Sequence, residues 1–90
     1  MAVHVNIHMT HRQYTDGKNR VDVEGKTVGE CLKHLTEQFP GMQNALFDKN
    51  GKLLRVVEVL INDTPAFPRE LSKTVSDGDE LHLLVMLAGG

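Results

Sequence analysis

Apolar and polar side chains alternate at the beginning of the chain. Residues 3 to 9 have apolar side chains at the odd positions and polar side chains between them, which is typical of a strand with one buried face. Asp16-Gly17 suits a turn that needs a positive φ. A second short strand follows, with Val21 and Val23 on its apolar side. The pattern therefore predicts an N-terminal hairpin with a long loop.

A helix is predicted after the hairpin. Thr27 and Glu30 have the spacing of a capping box, in which each side chain accepts a hydrogen bond from a backbone N–H near the other. Apolar residues then recur with helical spacing until Pro40-Gly41 ends the pattern. Cys31 lies on this stripe, so we expect a small core residue there and not a reactive thiol. The stripe consists of Val28, Cys31, Leu32, Leu35 and Phe39.

Two strands in the second half of the chain are apolar on both sides. The first is predicted from about Lys52 to Ile61 and the second from Leu81 to Leu87. Ala66-Phe67 is a candidate for a very short edge strand between them. Asp77-Gly78-Asp79-Glu80 has the composition of a turn into the last strand.

This order of elements predicts an α+β domain with the β-grasp (ubiquitin-like) fold. In this arrangement the first and last strands are parallel neighbours, and the right-handed crossover rule leaves few other ways to place the helix. We expect a mixed four- to five-stranded sheet with one main helix packed on one face. The expected organisation is a β-grasp domain over residues 1–86 and a flexible C-terminal tail over residues 87–90.

One helix covers only one face of such a sheet, so the second apolar face is expected to be partly exposed. An exposed apolar patch on a small protein usually marks a protein partner. The alternative is that a short helical segment expected at residues 42–47, or a loop, covers this face. The residues predicted to form the partner interface are Val56, Leu60, Leu84 and Met86.

The composition of the chain excludes several classes of function. Ninety residues suffice for one domain with a modest core, and a formal net charge of −2 gives no basic surface for nucleic acid or anionic membranes. Cys31 is the single cysteine, so no internal disulfide is possible. The alternating N-terminal residues do not resemble a signal peptide, and no apolar run approaches the ~20 residues that cross a bilayer. We expect a cytoplasmic protein.

The sequence ends in Gly89-Gly90, directly after the apolar strand. Residues without a Cβ can pass through a slot that is too narrow for others, while the carboxylate of Gly90 is presented to an enzyme that adenylates it. At roughly 3.3–3.6 Å per residue, Leu87 to Gly90 could reach about 13 Å beyond the domain. The alternative is a frayed terminus that happens to be glycine. Leu87, Ala88 and Gly89 are the predicted threading residues.

No chemistry is expected within the domain itself. His4, His8 and His11 are the strongest candidates for a metal site, with His4 and His8 predicted on one strand face. Residues four apart on a strand are about 13 Å apart, too far to share one ion. No catalytic triad, phosphate-binding loop or carboxylate pair has suitable spacing, so no catalytic and no metal-binding residues are predicted.

The ordered set of Asn62-Asp63, the turn at residues 77–80 and Gly89-Gly90 resembles the ubiquitin-like sulfur carriers of the ThiS/MoaD family over nearly the whole chain. Within that family, Gly51-Lys52-Leu53, Arg55 and residues 57–63 are most similar to the CysO type. Small subunits of molybdopterin synthase usually have a proline-containing stretch before Gly-Gly, which this chain lacks. Carriers for thiamine synthesis are typically shorter, without the insertion at residues 42–52.

The resemblance implies that the chain is a protein co-substrate and not an enzyme. An E1-like adenylyltransferase of the ThiF/MoeB type would use ATP and magnesium to adenylate Gly90, and a sulfur donor would replace AMP to give a thiocarboxylate. The carrier itself would hold no cofactor. Further implied partners are a sulfur-accepting biosynthetic enzyme, for cysteine, homocysteine or another metabolite, and a JAMM-type metalloprotease. Two alternatives remain open: the small subunit of molybdopterin synthase, and a protein modifier joined through Gly90 to lysines.

Overall fold

The computed structural model describes residues 2 to 86. Five strands in this part of the chain form one mixed sheet with the order β2-β1-β5-β3-β4. Two α-helices and two short 3-10 helices complete the domain. The strands are β1 (Ala2–Asn6), β2 (Arg20–Glu24), β3 (Val57–Ile61), β4 (Thr64–Pro65) and β5 (Glu80–Val85), and the helices are α1 (Val28–Gln38), α2 (Met42–Leu46) and the 3-10 segments Met9–Tyr14 and Glu70–Ser72.

The last strand occupies the centre of the sheet. β5 pairs in parallel with β1 on one side and antiparallel with β3 on the other. β1 and β2 form the predicted antiparallel hairpin, with Val21 and Val23 buried. The predicted parallel pairing of the first and last strands is therefore confirmed.

Helix α1 covers one face of this sheet. The N–H of Glu30 donates to Oγ1 of Thr27 over 3.1 Å, as the capping-box spacing predicts. The reciprocal bond comes from the N–H of Lys26, which donates to Oε1 of Glu30 over 2.8 Å, one residue earlier than in the standard motif. The predicted stripe is confirmed as the core face of the helix. Val28, Cys31, Leu32 and Leu35 are fully buried, and Phe39 is half-buried.

Helix α2 lies on the same side of the sheet as α1. Its Met42 and Leu46 are fully buried and belong to the same core cluster as the inward-facing residues of β1 and β5. A segment whose apolar residues fill the core cannot also cover the opposite face. The alternative prediction, in which residues 42–47 cover the second apolar face, is therefore wrong.

Two strand boundaries differ from the sequence prediction. The alternating pattern extends to Met9, but β1 ends at Asn6, because a 3-10 helix begins at Met9 and leaves that side chain 71% exposed. The strand predicted from Lys52 begins only at Val57. Ahead of it the N–H of Leu54 donates to the carbonyl oxygen of Leu46, which draws this segment away from the sheet.

The predicted edge strand is displaced by two residues. β4 is Thr64–Pro65, whereas Ala66 is buried and Phe67 is 73% exposed. β4 therefore offers little unpaired backbone, since it is two residues long and Pro65 has no N–H.

The opposite edge strand, β2, is closed by side chains of α1. The N–H of Glu24 donates to Nδ1 of His34 over 2.8 Å, and Nε2 of Gln38 donates to the carbonyl oxygen of Asp22 over 3.1 Å. His34 and Gln38 are four residues apart, which is about 6 Å along a helix, and Asp22 and Glu24 are two residues apart, which is about 6.8 Å along a strand. The two spacings therefore match closely. This arrangement occupies backbone groups that would otherwise be open to another strand.

Candidate functional site

Strand β5 anchors the predicted tail. The N–H of Met86 donates to the carbonyl oxygen of Val56 over 2.6 Å, one residue beyond the end of the strand. The chain is thus hydrogen-bonded to the sheet up to the residue that precedes Leu87. Leu87, Ala88, Gly89 and Gly90 lie outside the described residues. The threading role of the first three, the adenylation of Gly90 and the domain boundary at residue 86 therefore stay predictions.

The start of β5 is fixed by the two motifs that carry the family resemblance. The N–H of Asn62 donates to the carbonyl oxygen of Glu80 over 2.7 Å. In return, the N–H of Glu80 donates to Oδ1 of Asn62 over 3.1 Å, and the side-chain amide of Asn62 donates to Oδ1 of Asp79 over 3.2 Å. Asn62 adopts a φ of 56°, which Asn tolerates better than most residues.

The turn ahead of β5 is held to the beginning of the chain. Oδ2 of Asp79 accepts from the N–H of Ser76 over 2.8 Å, and Oδ1 of Asp77 accepts from the N–H of Ala2 over 2.9 Å. The N–H of Gly78 donates to the carbonyl oxygen of Ala2 over 2.8 Å. Because these bonds set the register of β5, they also decide which of its side chains point outward.

The side chains of β5 alternate as this register requires. Leu81 and Leu83 point into the core and are at most 1% exposed. His82, Leu84 and Met86 point to the opposite face, where Leu84 is 36% and Met86 is 50% exposed. The outward-facing apolar side chains thus lie on the strand that leads to Gly89-Gly90.

Three of the four predicted interface residues come together on this face. Leu60 pairs across the strands with His82, diagonally from Leu84, and Met86 follows Leu84 on the same face. We call Leu60, Leu84 and Met86 the outer apolar patch. Glu58 lies opposite Leu84, so an acidic side chain that the apolar pattern did not include borders the patch. The role of this patch as an interface stays a prediction.

Val56, the fourth predicted interface residue, is placed differently. It lies in the turn before β3, is half-buried and packs against the hydrophobic core. Leu60 is consequently a cleaner position than Val56 for testing a surface role.

A groove of about 560 Å³ adjoins Met86 on the side of β3 and β4. Its apolar wall includes the exposed ring of Phe67, which the sequence interpretation assigned to an edge strand. An aromatic residue beside Pro68 at the end of a short strand is the only sequence signal for this position. The groove is lined by Leu53, Leu54, Arg55, Val57, Glu58, Pro65, Phe67, Glu70 and Met86.

The other half of the outer face is polar, and its side chains bind each other. Nδ1 of His4 lies 2.6 Å from Oδ1 of Asp22, and Nδ2 of Asn6 donates to Oε1 of Glu80 over 3.0 Å. The bond from Asn6 is the main reason why the pKa of Glu80 is lowered. A hydrogen bond to a carboxylate favours its charged form.

The thiol of Cys31 is buried, as predicted. Burial is the main reason why its pKa rises to about 11, and the neighbouring charge of Glu30 adds to the effect. At neutral pH the thiol is protonated, which makes it a poor nucleophile.

The predicted histidine placement is wrong in one respect. His8 does not share a strand face with His4, because β1 ends at Asn6 and His8 caps the following 3-10 helix through Nδ1. Within residues 2–86, no group of three or more His, Cys, Asp and Glu side chains is arranged to hold a metal ion. No helix in the same range has the length and apolar character needed to span a membrane.

Comparison with known proteins identifies relatives over the whole chain. The sequence model of the ThiS family matches residues 5–90. The sulfur carrier protein CysO of Mycobacterium tuberculosis is 33% identical over 93 residues, with all of both chains covered. A chain in the crystal structure of the Amycolatopsis orientalis BexX/CysO complex has a TM-score of 0.86 and 35% identity, covering 98% of this chain and 99% of that chain. SAMP1 of Haloferax volcanii has a TM-score of 0.87 and 26% identity, with complete coverage of both chains. These likenesses confirm the predicted β-grasp fold.

Proposed function

Because the chain belongs to the ThiS family and is a sulfur carrier of the ThiS/CysO type, we propose that it carries sulfur as a thiocarboxylate on Gly90. An E1-like adenylyltransferase of the ThiF/MoeB type activates the carboxylate, and a sulfur-accepting enzyme uses the product to make cysteine, homocysteine or another sulfur metabolite. The carrier is not a catalyst. It supplies the acyl group, and partner enzymes perform the reactions.

The proposed activation proceeds in two steps. A carboxylate oxygen of Gly90 attacks the α-phosphorus of ATP, which the partner enzyme holds with magnesium, and pyrophosphate leaves. A donor at the oxidation level of sulfide then attacks the carbonyl carbon, and the C–O bond to AMP breaks with its electron pair on AMP. Gly90 enters a narrow channel of the activating enzyme first, followed by Gly89, which has no Cβ, and then by Ala88 and Leu87.

The match of the ThiS family to residues 5–90 carries this proposal. The family's sequence model extends to residue 90 and therefore includes Gly89-Gly90. The fold supports the same interpretation, because β5 is hydrogen-bonded on both sides and leads to these residues. A central strand is a firm base for a reactive group that must be presented to another protein.

The likeness to CysO also supports the proposed partner proteins. The Amycolatopsis orientalis CysO is found in a complex with BexX, so a carrier of this kind can bind a second protein. We propose that the outer apolar patch and the groove beside Met86 contact the E1-like enzyme and then the sulfur-accepting enzyme. The JAMM-type metalloprotease is proposed from the family resemblance alone.

Mass spectrometry of the intact protein tests the chemistry. After incubation with a cognate E1-like enzyme, ATP, magnesium and a sulfide source, the protein should gain the mass difference between one sulfur and one oxygen, localised to Gly90. Cys31→Ser should gain the same mass, since the Cys31 thiol is buried and protonated. Deletion of Gly90 should prevent the gain. A gain that is lost in Cys31→Ser would instead indicate a persulfide on the side chain.

A protein modifier is the second candidate. SAMP1 of Haloferax volcanii, a small archaeal modifier protein, has 26% identity and complete coverage. In this alternative an activated Gly90 forms an amide with a lysine of a target protein. Stable lysine adducts that survive hydroxylamine, in the absence of any thiocarboxylate, would favour the modifier over the sulfur carrier.

A further inference from the structure

A pocket of about 280 Å³ lies beside the outer apolar patch, on the side of β1. It opens between the segment that follows β1 and the outward-facing side chains of β5. Leu84 belongs both to its wall and to the patch, so the two features form one continuous surface. The pocket is lined by Asn6, Ile7, His8, Met9, Arg12, His82, Leu83 and Leu84.

The charged groups in this pocket are of one sign, which is positive. Among the described residues that line the pocket, Arg12 alone has a permanent charge and none is acidic. His8 and His82 contribute imidazole rings, which are either neutral or positively charged. The pocket therefore favours an anionic occupant over a cationic one.

Arg12 is a half-buried cation without a carboxylate partner in residues 2–86. Its Nε donates to the carbonyl oxygen of Ile7 over 3.2 Å, which holds the side chain to the segment between β1 and the 3-10 helix. A guanidinium has five N–H donors, and this bond uses one of them. Removing a charge from water is costly unless another charged group pairs with it, and a carboxylate matches the planar fork of the remaining donors.

The side chains that border the pocket indicate that the carboxylate bound by Arg12 belongs to a protein. Met9 is 71% exposed at the rim of the pocket, and Leu84 forms its opposite side. Such apolar borders suit an acidic side chain that arrives on a surface with apolar neighbours, and they offer nothing to a freely soluble ion. A charged pocket next to an apolar patch also fixes the orientation of a bound partner.

We propose that this pocket receives an aspartate or glutamate side chain of the E1-like activating enzyme when that enzyme binds the outer apolar patch. The inference rests on the proposed function, because it assumes activation by such an enzyme. It adds a specific ionic contact, with Arg12 as the residue that selects and orients the partner.

Steady-state kinetics of adenylation test the contact. Arg12→Gln should raise KM for the carrier at least tenfold and leave kcat within twofold, since the mutation affects docking and not the Gly90 carboxylate. Lys33→Gln is the matched control, because it removes one positive charge from an exposed position on α1, on the other side of the sheet. Its KM should stay within twofold of the wild-type value. Raising the salt concentration should increase KM more for the wild type than for Arg12→Gln.

Two further measurements separate docking from folding and from the chemistry. Arg12→Lys keeps the charge but not the fork, so its KM should lie between those of the wild type and Arg12→Gln. Thermal melting should show that all three variants are folded at the assay temperature.

A KM of Arg12→Gln within twofold of the wild type, or an equal rise in Lys33→Gln, would overturn the inference. Failure of the wild type to be adenylated at all would instead refute the proposed function.

Discussion

The two faces of the sheet differ in what covers them, although the same strands form both. On the inner face, Leu81 and Leu83 are sealed under α1 and α2. On the outer face, Leu84 and Met86 of the same stretch of chain remain 36% and 50% exposed. The difference indicates that apolar residues on the inner face serve stability, whereas those on the outer face are available for binding.

The outer face of the sheet has a polar half and an apolar half. Next to β2, polar side chains bind one another, as in the pair of His4 and Asp22. Next to β3, the outer apolar patch is open. A surface whose groups are satisfied within the chain has little to offer a partner, so binding is expected on the outer apolar patch and the pockets that adjoin it.

The largest expected effect comes from the inner face. Leu32→Ala removes a fully buried side chain of α1, and we expect the free energy of unfolding to fall by about 2–5 kcal/mol because the cavity cannot fully collapse. Urea denaturation measures this change. A loss below about 1 kcal/mol would show that the core under α1 is loosely packed, and the contrast between the faces would weaken.

Leu60→Arg tests the outer face, where we expect an effect on binding and little effect on stability. A charge in the centre of an apolar interface must lose its water without gaining a partner, so binding to the E1-like enzyme should weaken more than about tenfold. The free energy of unfolding should change by less than about 1 kcal/mol, because Leu60 is only partly buried. Calorimetric binding and urea denaturation report the two effects. Unfolding of this variant would show that Leu60 belongs to the core.

His11 gives a smaller, pH-dependent effect on the buried side. Its Nδ1 is buried without a hydrogen-bond partner in the described part of the chain, and its ring lies 6.3 Å from that of His8 and 6.4 Å from that of Tyr14. Burial, followed by the charge of His8, lowers the pKa of His11. The unfolded chain then binds the proton more readily than the folded one, so stability should fall as the pH decreases below about 6.5.

Urea denaturation at pH 7.5, 6.5 and 5.5 checks this dependence. His11→Leu should show a shallower loss of stability over the range, since it removes the group that titrates. An unchanged slope would assign the effect to other histidines.

The smallest effect is expected in the polar half of the outer face. Asp22→Asn removes the charge that faces His4, but Asp22 is 71% exposed. Exposed ion pairs contribute about 0–1 kcal/mol, so stability should fall by no more than that. Binding to the E1-like enzyme should be unaffected if the polar half takes no part in the interface. A tenfold weaker complex would extend the interface across the whole face.

Local patterns predicted the parts of the fold that depend on neighbouring residues. The start of α1 follows from Thr27 and Glu30, and the turn into β5 follows from Asp77-Gly78-Asp79, because the atoms involved lie within a few residues of each other. The start of β3 depends instead on the bond from Leu54 to Leu46. An alternating pattern that continues across this point could not reveal it.

The candidate site was predicted to a similar extent. The outward position of Leu84 and Met86 follows from alternation along β5. The pocket around Arg12 could not be predicted, since Arg12 and Leu84 are brought together only by the parallel pairing of β1 and β5. The core contact of Val56 was likewise hidden, because an apolar residue suits both a core and a patch.

The same parallel pairing has a practical consequence for labelling the protein. Ala2 is bonded to the turn that begins β5, whereas Met86 lies at the other end of that strand. Six residues of extended chain, at about 3.3 Å each, separate the two points by roughly 20 Å. A fluorophore or affinity tag joined ahead of Ala2 would therefore sit at the opposite end of β5 from Met86. Assays of the proposed sulfur loading can use such fusions without crowding the Met86 end of the domain, where the enzymes are proposed to bind.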